Sequence, residues 1–362
     1  MLVLVMMAMR FPFARANEFK IEAKSAILVS LDSDLILYEQ NKDERLNIAS
    51  LTKIMTMLLV YEALDEKIIN NTDIMNASAY AVSMGGTQIY LEENEAMSFN
   101  DLFKSMVIAS ANDASVVLAE ACHGTVENFV SKMNEKAMAL GCKNTLFSDV
   151  TGLSDENHYS SAYDLSLIAK ELLRKYPQVL EITNVYDDYV RKDSSNPFWL
   201  VNTNKLIGRN LGVDGLKTGW TTKSGYCLVA TKSKNDMRLI SVVLGSPKAT
   251  IRNDETLKLL NNGHSLYEKT SIVQKGDIFK EEISILYSPS NFYYVASEDY
   301  SIIDLKNKKI KYDTEIIIKD KTYYLIIKID DEVVKEMELI TNVVVKKANF
   351  IELILRLFCL AI

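Results

Sequence analysis

The sequence predicts a mixed α/β (α+β) domain, followed by a small all-β domain and a C-terminal amphipathic helix. Three observations carry this. Apolar residues recur near helical spacing over 50–64, 100–121, 126–140 and 162–174. Strand patterns frame those helices, one pair near residue 25 and another over 225–245. After about Ser271 the helical period stops, and short β-branched and aromatic runs follow, separated by turn residues.

The elements follow in order. At the N-terminus a short apolar run ends at Arg10, and Ala14-x-Ala16 is a small-x-small cleavage signal. Residues 1–16 are therefore expected to be a signal peptide. Ser25–Ser30 is apolar, Asp32-Ser-Asp34 is turn chemistry, and Leu35-Ile-Leu-Tyr follows, which reads as a hairpin. Ile54, Met55, Met57, Leu58, Leu59 and Ala63 give the helix at 50–64 a broad apolar face. Tyr226–Thr231, a Lys-Asn-Asp turn and Arg238–Leu244 make a strand pair, and Arg252–Tyr267 is a closing helix. The β region contributes Ile283–Tyr287, Phe292–Val295, Ile310–Ile318, Tyr323–Ile329 and Glu332–Thr341. In the last segment Asn349, Glu352 and Arg356 share one helical face and the rest is apolar, which suits a helix lying in a membrane interface. The expected division is 17–270, 271–347 for the β domain, and 348–362 for the end helix.

Composition narrows the function. The chain has 362 residues, 48% hydrophobic and 25% charged, so it is no disordered tail. No run approaches the roughly 20 apolar residues of a membrane span, which excludes a polytopic membrane protein. With 41 Lys+Arg against 48 Asp+Glu and no basic cluster, it is a poor nucleic-acid binder. Cys122, Cys142, Cys227 and Cys359 form no C-x-x-C pair and no zinc spacing with His123, His158 or His264. They read as buried or half-buried thiols, and no metal or cofactor is expected.

Three short motifs carry chemistry. Ser50-Leu-Thr-Lys53 opens a helix, and its i, i+3 spacing puts hydroxyl and ammonium on one face. A serine hydroxyl is a poor nucleophile until a base takes its proton. Lysine can be that base if burial or a second cation lowers its pKa to about 7–8. Lys217-Thr218-Gly219, followed by Trp220, supplies a second cation and groups able to bind a carboxylate. Ser110-Ala-Asn112 lies between helical stretches and taken alone is equally a helix cap.

Their order and spacing form the signature set of serine penicillin-recognising enzymes. Asn47–Thr56, Gly85–Leu91, Gly152-Leu153, His158–Ala162 and Asp214–Thr221 together resemble the D-alanyl-D-alanine carboxypeptidases of the low-molecular-mass penicillin-binding proteins. The resemblance covers essentially the whole mature chain. It implies a serine β-lactamase/DD-peptidase-like domain with a central antiparallel sheet flanked by helices. It implies that Ser50 is acylated, with Lys53 as general base and Ser110 relaying protons toward the leaving amine. Asn112 then holds the substrate amide, Lys217 and Thr218 bind the terminal carboxylate, and Arg252 lies near that carboxylate pocket. The oxyanion hole would be the N–H groups of Ser50 and of Trp220, the residue after Gly219. The implied substrate is a peptidoglycan stem peptide ending in D-Ala-D-Ala, with β-lactams as covalent ligands. The implied place is the outer face of the cytoplasmic membrane, held there by the end helix.

The chain departs from the family wording at bulky Trp220 and at Asp149-Val-Thr151-Gly152. His158 invites a Ser-His reading, but Lys53 already fills the base position, so a loop-building role is expected. Two alternatives differ in class. A class A β-lactamase would place a Glu-x-x-Leu-Asn stretch after the middle motif, and 141–165 holds none. A catalytically silent wall-binding homologue would have lost Ser50, Lys53 or Lys217.

Overall fold

The computed structural model describes residues 20–33, 35–153, 157–279, 293–320 and 322–341. The expected leader over 1–16, the strand Ile283–Tyr287 and the end helix over 348–362 lie outside the described residues. The chain divides into two compact units, the first holding most of the chain up to Leu260 and the second the remainder. Two short segments, Ser30–Leu35 and Ser233–Leu239, cluster with the second unit.

The first unit begins with strands β1 (Ser25–Ser30) and β2 (Ile36–Gln40). All six residues of β1 are buried, as a strand covered on both faces requires. A 3-10 turn at Ala49–Thr52 leads into α1 (Lys53–Asp65). Ten of its thirteen residues are buried, so α1 is a central helix, apolar nearly all round. Next come β3 (Ile74–Asn76), α2 (Ala79–Val82), β4 (Ala96–Ser98) and α3 (Phe99–Lys104). α4 (Asn112–His123), α5 (Val126–Ala139), α6 (Ala162–Lys175) and α7 (Val179–Thr183) complete the central helices. The Thr125 hydroxyl caps α5 and the Ser161 hydroxyl caps α6, each accepting an N–H three residues on. A two-stranded ribbon, β5 (Asp187–Val190) and β6 (Phe198–Val201), precedes β7 (Val213–Thr221), β8 (Gly225–Lys234), β9 (Met237–Ser246) and α8 (Ala249–Leu266). The main sheet has the order β2-β1-β9-β8-β7. The β8–β9 turn places Asn235 and Asp236 at φ +51° and +56°, the left-handed pair a two-residue hairpin needs.

The stretch read as one helix over 100–121 is broken. α3 runs into a π-helical turn at Ser105–Ala109, Ser110 adopts φ +66°, and α4 starts only at Asn112. Periodicity is blind to this break because Met106, Val107 and Ile108 stay buried through it. The helix read over 50–64 likewise opens with a 3-10 turn, so Ser50 precedes α1.

The second unit is antiparallel β. β10 (Tyr267–Val273) pairs with β13 (Tyr300–Leu305). A five-stranded sheet follows the order β11 (Ile278–Phe279), β12 (Tyr294–Ala296), β16 (Glu332–Thr341), β15 (Thr322–Ile329), β14 (Tyr312–Lys319). Asp330 and Asp331, at φ +50° and +64°, turn β15 into β16. Val273, Tyr294, Ala296, Leu325, Ile327, Met337 and Leu339 form its core. β10 and β13 were not legible as strands, and strand structure begins at Tyr267 rather than near Ser271. Among the described residues no helix is long and apolar enough to cross a membrane.

Candidate active site

Ser50 sits in the 3-10 turn, one residue after Ala49, whose φ of +47° is unusual for a residue with a Cβ. One turn on, the Lys53 side chain is fully buried. Its Nζ lies 3.1 Å from Ser50 Oγ, 2.6 Å from Asn112 Oδ1 and 3.0 Å from the Thr151 carbonyl. Asn112 Nδ2 donates to the Gly85 carbonyl at 2.7 Å, which fixes the amide with its oxygen toward Lys53. Burial lowers the Lys53 pKa to about 7, against the opposing charges of Asp149 and Asp113. A neutral amine has two N–H donors and one lone pair. The amide oxygen and the carbonyl can only accept, so they take the two donors. The lone pair is then left for the Ser50 hydroxyl proton.

The third motif enters on β7, paired with β8 so that Thr218 faces Leu228 and Gly219 faces Cys227. Lys217 is buried, and its Nζ donates to the Thr218 carbonyl at 3.2 Å. Burial, then the charges of Lys53 and Arg252, push its pKa well down. Thr218 Oγ1 donates to Thr203 Oγ1 at 2.7 Å. At Gly219 a Cβ would fall 2.7 Å from the Ile48 carbonyl and 3.2 Å from Ser50 N, so only glycine lets β7 lie against the Ser50 turn.

With this geometry in place, the chain can be set beside known proteins. The sequence pattern of the D-alanyl-D-alanine carboxypeptidase family matches residues 12–248. The chain belongs to that family. It is 42% identical over 354 residues to the D-alanyl-D-alanine carboxypeptidase DacF of Bacillus subtilis, covering 94% of this chain and 90% of that one. It is 35% identical over 317 residues to DacC of Escherichia coli, covering 83% and 78%. Penicillin binding protein 5 from Haemophilus influenzae matches in structure at a TM-score of 0.77 and 31% identity, over 90% of this chain and 98% of that one. Penicillin-Binding Protein D2 from Listeria monocytogenes, in an ampicillin-bound form, matches at 0.59 and 32%, over 68% and 98%. A serine-type carboxypeptidase on a penicillin-binding-protein fold is thereby established, and the β-lactamase and silent-homologue alternatives fall away.

The other residues expected at the site sit as follows. Ser110 is buried at the break before α4. Arg252, in the first turn of α8, is buried and bonds the Cys227 carbonyl through Nη1 at 3.4 Å and Asn253 Oδ1 through Nε and Nη2 at 3.1 and 2.8 Å. Trp220 is 56% exposed, its ring 5.8 Å from that of Tyr226.

Sequence reading missed the supports. The Asp113 carboxylate accepts N–H bonds from Ile89 and Leu91, and Asn112 N donates to the Thr87 carbonyl, which pins the 85–91 loop to the start of α4. Asp149 Oδ1 accepts from Thr151 N, Thr151 Oγ1 and Gly152 N, and so folds the loop whose carbonyl holds Lys53. Asp113 adjoins a motif residue and was within reach of a sequence argument. The backbone carbonyls of Gly85 and Thr151 leave no signature in a sequence.

Proposed function

We propose that Ser50 is the residue acylated by the D-Ala-D-Ala end of a peptidoglycan stem pentapeptide. Ser50 Oγ attacks the penultimate D-Ala carbonyl, and its proton passes to the neutral Lys53 Nζ. The bond to the terminal D-Ala breaks as its amine takes a proton, relayed through Ser110 with Lys217. Water then hydrolyses the ester and restores Ser50. Asn112 holds the substrate amide, while Lys217 and Thr218, with Arg252 behind them, hold the terminal carboxylate. The N–H groups of Ser50 and Trp220 receive the oxyanion, where one such donor is typically worth about 10²–10³ in rate. The observation that carries this reading is the Lys53 contact set, which satisfies both amine donors elsewhere and aims the lone pair at Ser50. Catalysis belongs to the segment 17–270, and 271–347 is its β appendage.

The test is incubation with a D-Ala-D-Ala pentapeptide and with a fluorescent penicillin. Wild-type protein should release D-Ala and carry a label, and intact-mass spectra of Ser50→Ala should show no adduct. An adduct on that variant sinks the assignment.

Substrate chemistry puts the work outside the cytoplasm, at the cell wall. We assign residues 1–16 to a cleaved leader and 348–362 to a helix that holds the enzyme on the outer face of the cytoplasmic membrane. Phe350, Ile351, Leu353, Ile354, Leu357 and Phe358 supply its apolar face. Each such side chain removed from water is worth up to about 1.5–3 kcal/mol. Glu352 offsets Arg356, so binding should be nearly independent of salt. Deleting 349–362 should move the enzyme from floating liposomes to the soluble fraction with pentapeptide hydrolysis intact. Full-length protein that stays soluble overturns the anchor.

A further inference from the structure

His158 is buried, lies outside the three short motifs, and is bonded on both ring nitrogens. The Ser148 N–H donates to Nδ1 at 3.1 Å, so Nδ1 carries no proton and the ring is the Nε2–H tautomer. Burial also lowers its pKa, against the charge of Asp149, whose Oδ2 lies 3.6 Å from Nδ1. The Nε2–H donates to Thr52 Oγ1 at 2.7 Å, and that hydroxyl donates to the Ala49 carbonyl at 2.7 Å.

Ala49 and Thr52 are the two ends of the turn that carries Ser50. Ala49 holds a left-handed conformation, and such residues persist only where their surroundings over-determine them. A Cβ on Gly152 would fall 1.9 Å from the Ala49 carbonyl oxygen and 2.8 Å from Thr52 Oγ1, so the 149–152 loop closes over the same two groups. That loop also gives Lys53 its Thr151 carbonyl and accepts the Thr56 hydroxyl at the Val150 carbonyl. His158 thus ties the segment entering the loop, at Ser148, to the turn beneath it, at Thr52.

We infer that His158 is a positioning residue for acylation, which holds the strained Ser50 turn through the Thr52 hydroxyl. This rests on Ser50 being the acylated residue. The imidazole takes no proton from Ser50. It sets the direction of the Thr52 O–H, which holds the Ala49 carbonyl and with it the angle at which Ser50 meets Lys53. A small displacement of a nucleophile is felt strongly in rate, because reacting groups must start near bonding distance and alignment.

The experiment measures penicillin acylation and pentapeptide turnover for His158→Ala, His158→Gln, Thr52→Val, Thr52→Ser and the double variant His158→Ala/Thr52→Val, with a melting curve for each. His158→Ala and Thr52→Val should each slow the acylation step by about tenfold or more, with KM for pentapeptide changed far less. Thr52→Ser keeps the hydroxyl and should keep most of the rate. The double variant should be no slower than Thr52→Val alone, because both changes break one chain. A cooperatively folded His158→Ala enzyme that acylates within about twofold of wild type overturns the inference. So do losses that multiply in the double variant. If His158→Ala does not fold, Thr52→Val decides, since full speed there overturns the inference equally. Mass spectra of wild-type protein separate the two levels. An adduct on Ser50 with a full-speed His158→Ala removes this inference alone, whereas an adduct elsewhere removes the Ser50 assignment and this inference with it.

Discussion

The two units differ in the charge they bury. In the first, Lys53, Lys217, Asp113 and Arg252 are all buried within or beside the site. In the second, the core cluster among the described residues is apolar apart from the phenol of Tyr294, and lysines pair with glutamates at the surface: Lys319 with Glu336, Lys328 with Glu315, Lys335 with Glu298. Asp304 is buried there too, accepting the Ile310 N–H. Taking a charge out of water is costly unless it is bonded or neutralised. In the first unit that cost is retained as lowered lysine pKa values, which is the condition for a lysine to act as a base at neutral pH. The second unit's core cluster holds no charged group, and its buried Asp304 is met by a backbone N–H.

The largest test of this contrast is Lys53→Arg. Charge is kept, but arginine does not deprotonate in the working range, so it cannot take the Ser50 proton. Acylation by a fluorescent penicillin should slow by about 10²–10⁴-fold, the usual worth of a general base. Near-normal labelling would move the base role elsewhere, to Ser110 with Lys217. The counterpart in the second unit is Met337→Ala. Met337 is fully buried in the β core, so its truncation should cost that unit about 2–5 kcal/mol in denaturant unfolding. Acylation at 25 °C should be unchanged. A parallel loss of labelling would show that the β unit shapes the site.

A smaller effect sharpens the same contrast through pH. Lys53 is an effective base only when neutral, and its pKa sits at about 7. As pH falls through that value the amine takes a proton, so the acylation rate should drop by about tenfold per unit below it. Stopped-flow acylation between pH 5 and 9 reads the limb directly. A flat profile across that range contradicts a Lys53 base.

Legibility divides local features from long-range ones. Ser50, Lys53 and Asn112 were grouped by motif spacing, and they meet within hydrogen-bond distance. α6 and the β8–β9 hairpin follow their hydrophobic periods closely, because a half-buried helix and a tight Asn-Asp turn are local features. What escaped is long-range. Ser110 is left-handed at the break between the π-helical turn and α4, and nothing in Ser-Ala-Asn announces that. The β5–β6 ribbon is short and buries only Val190 and Leu200, while its Tyr189 and Trp199 rings stack across it in the open, so too few buried positions recur to betray a period. The His158–Thr52 bond joins residues 106 apart in the chain.

The smallest prediction concerns a surface pair. Lys319 Nζ lies 2.5 Å from Glu336 Oε2, with side chains 50% and 39% exposed. Lys319 also sits 5.6 Å from the centre of the Tyr324 ring, a contact worth about 0.5–1 kcal/mol at an exposed site. A single Lys319→Ala change removes both contacts, so its cost alone does not measure the ion pair. A double-mutant cycle with Glu336→Ala does, because the ring contact is lost in both lysine variants and cancels. Water screens the pair, and ordering two long side chains opposes it, so the coupling should be about 0.2–1 kcal/mol. It should shrink as salt shortens the screening length, which is about 8 Å at 0.15 M and about 3 Å at 1 M. A coupling above about 2 kcal/mol, or one that ignores salt, would mean that charge in the β unit is as strongly desolvated as Lys53. The contrast between the two units would then fail at the surface, where it is drawn most simply.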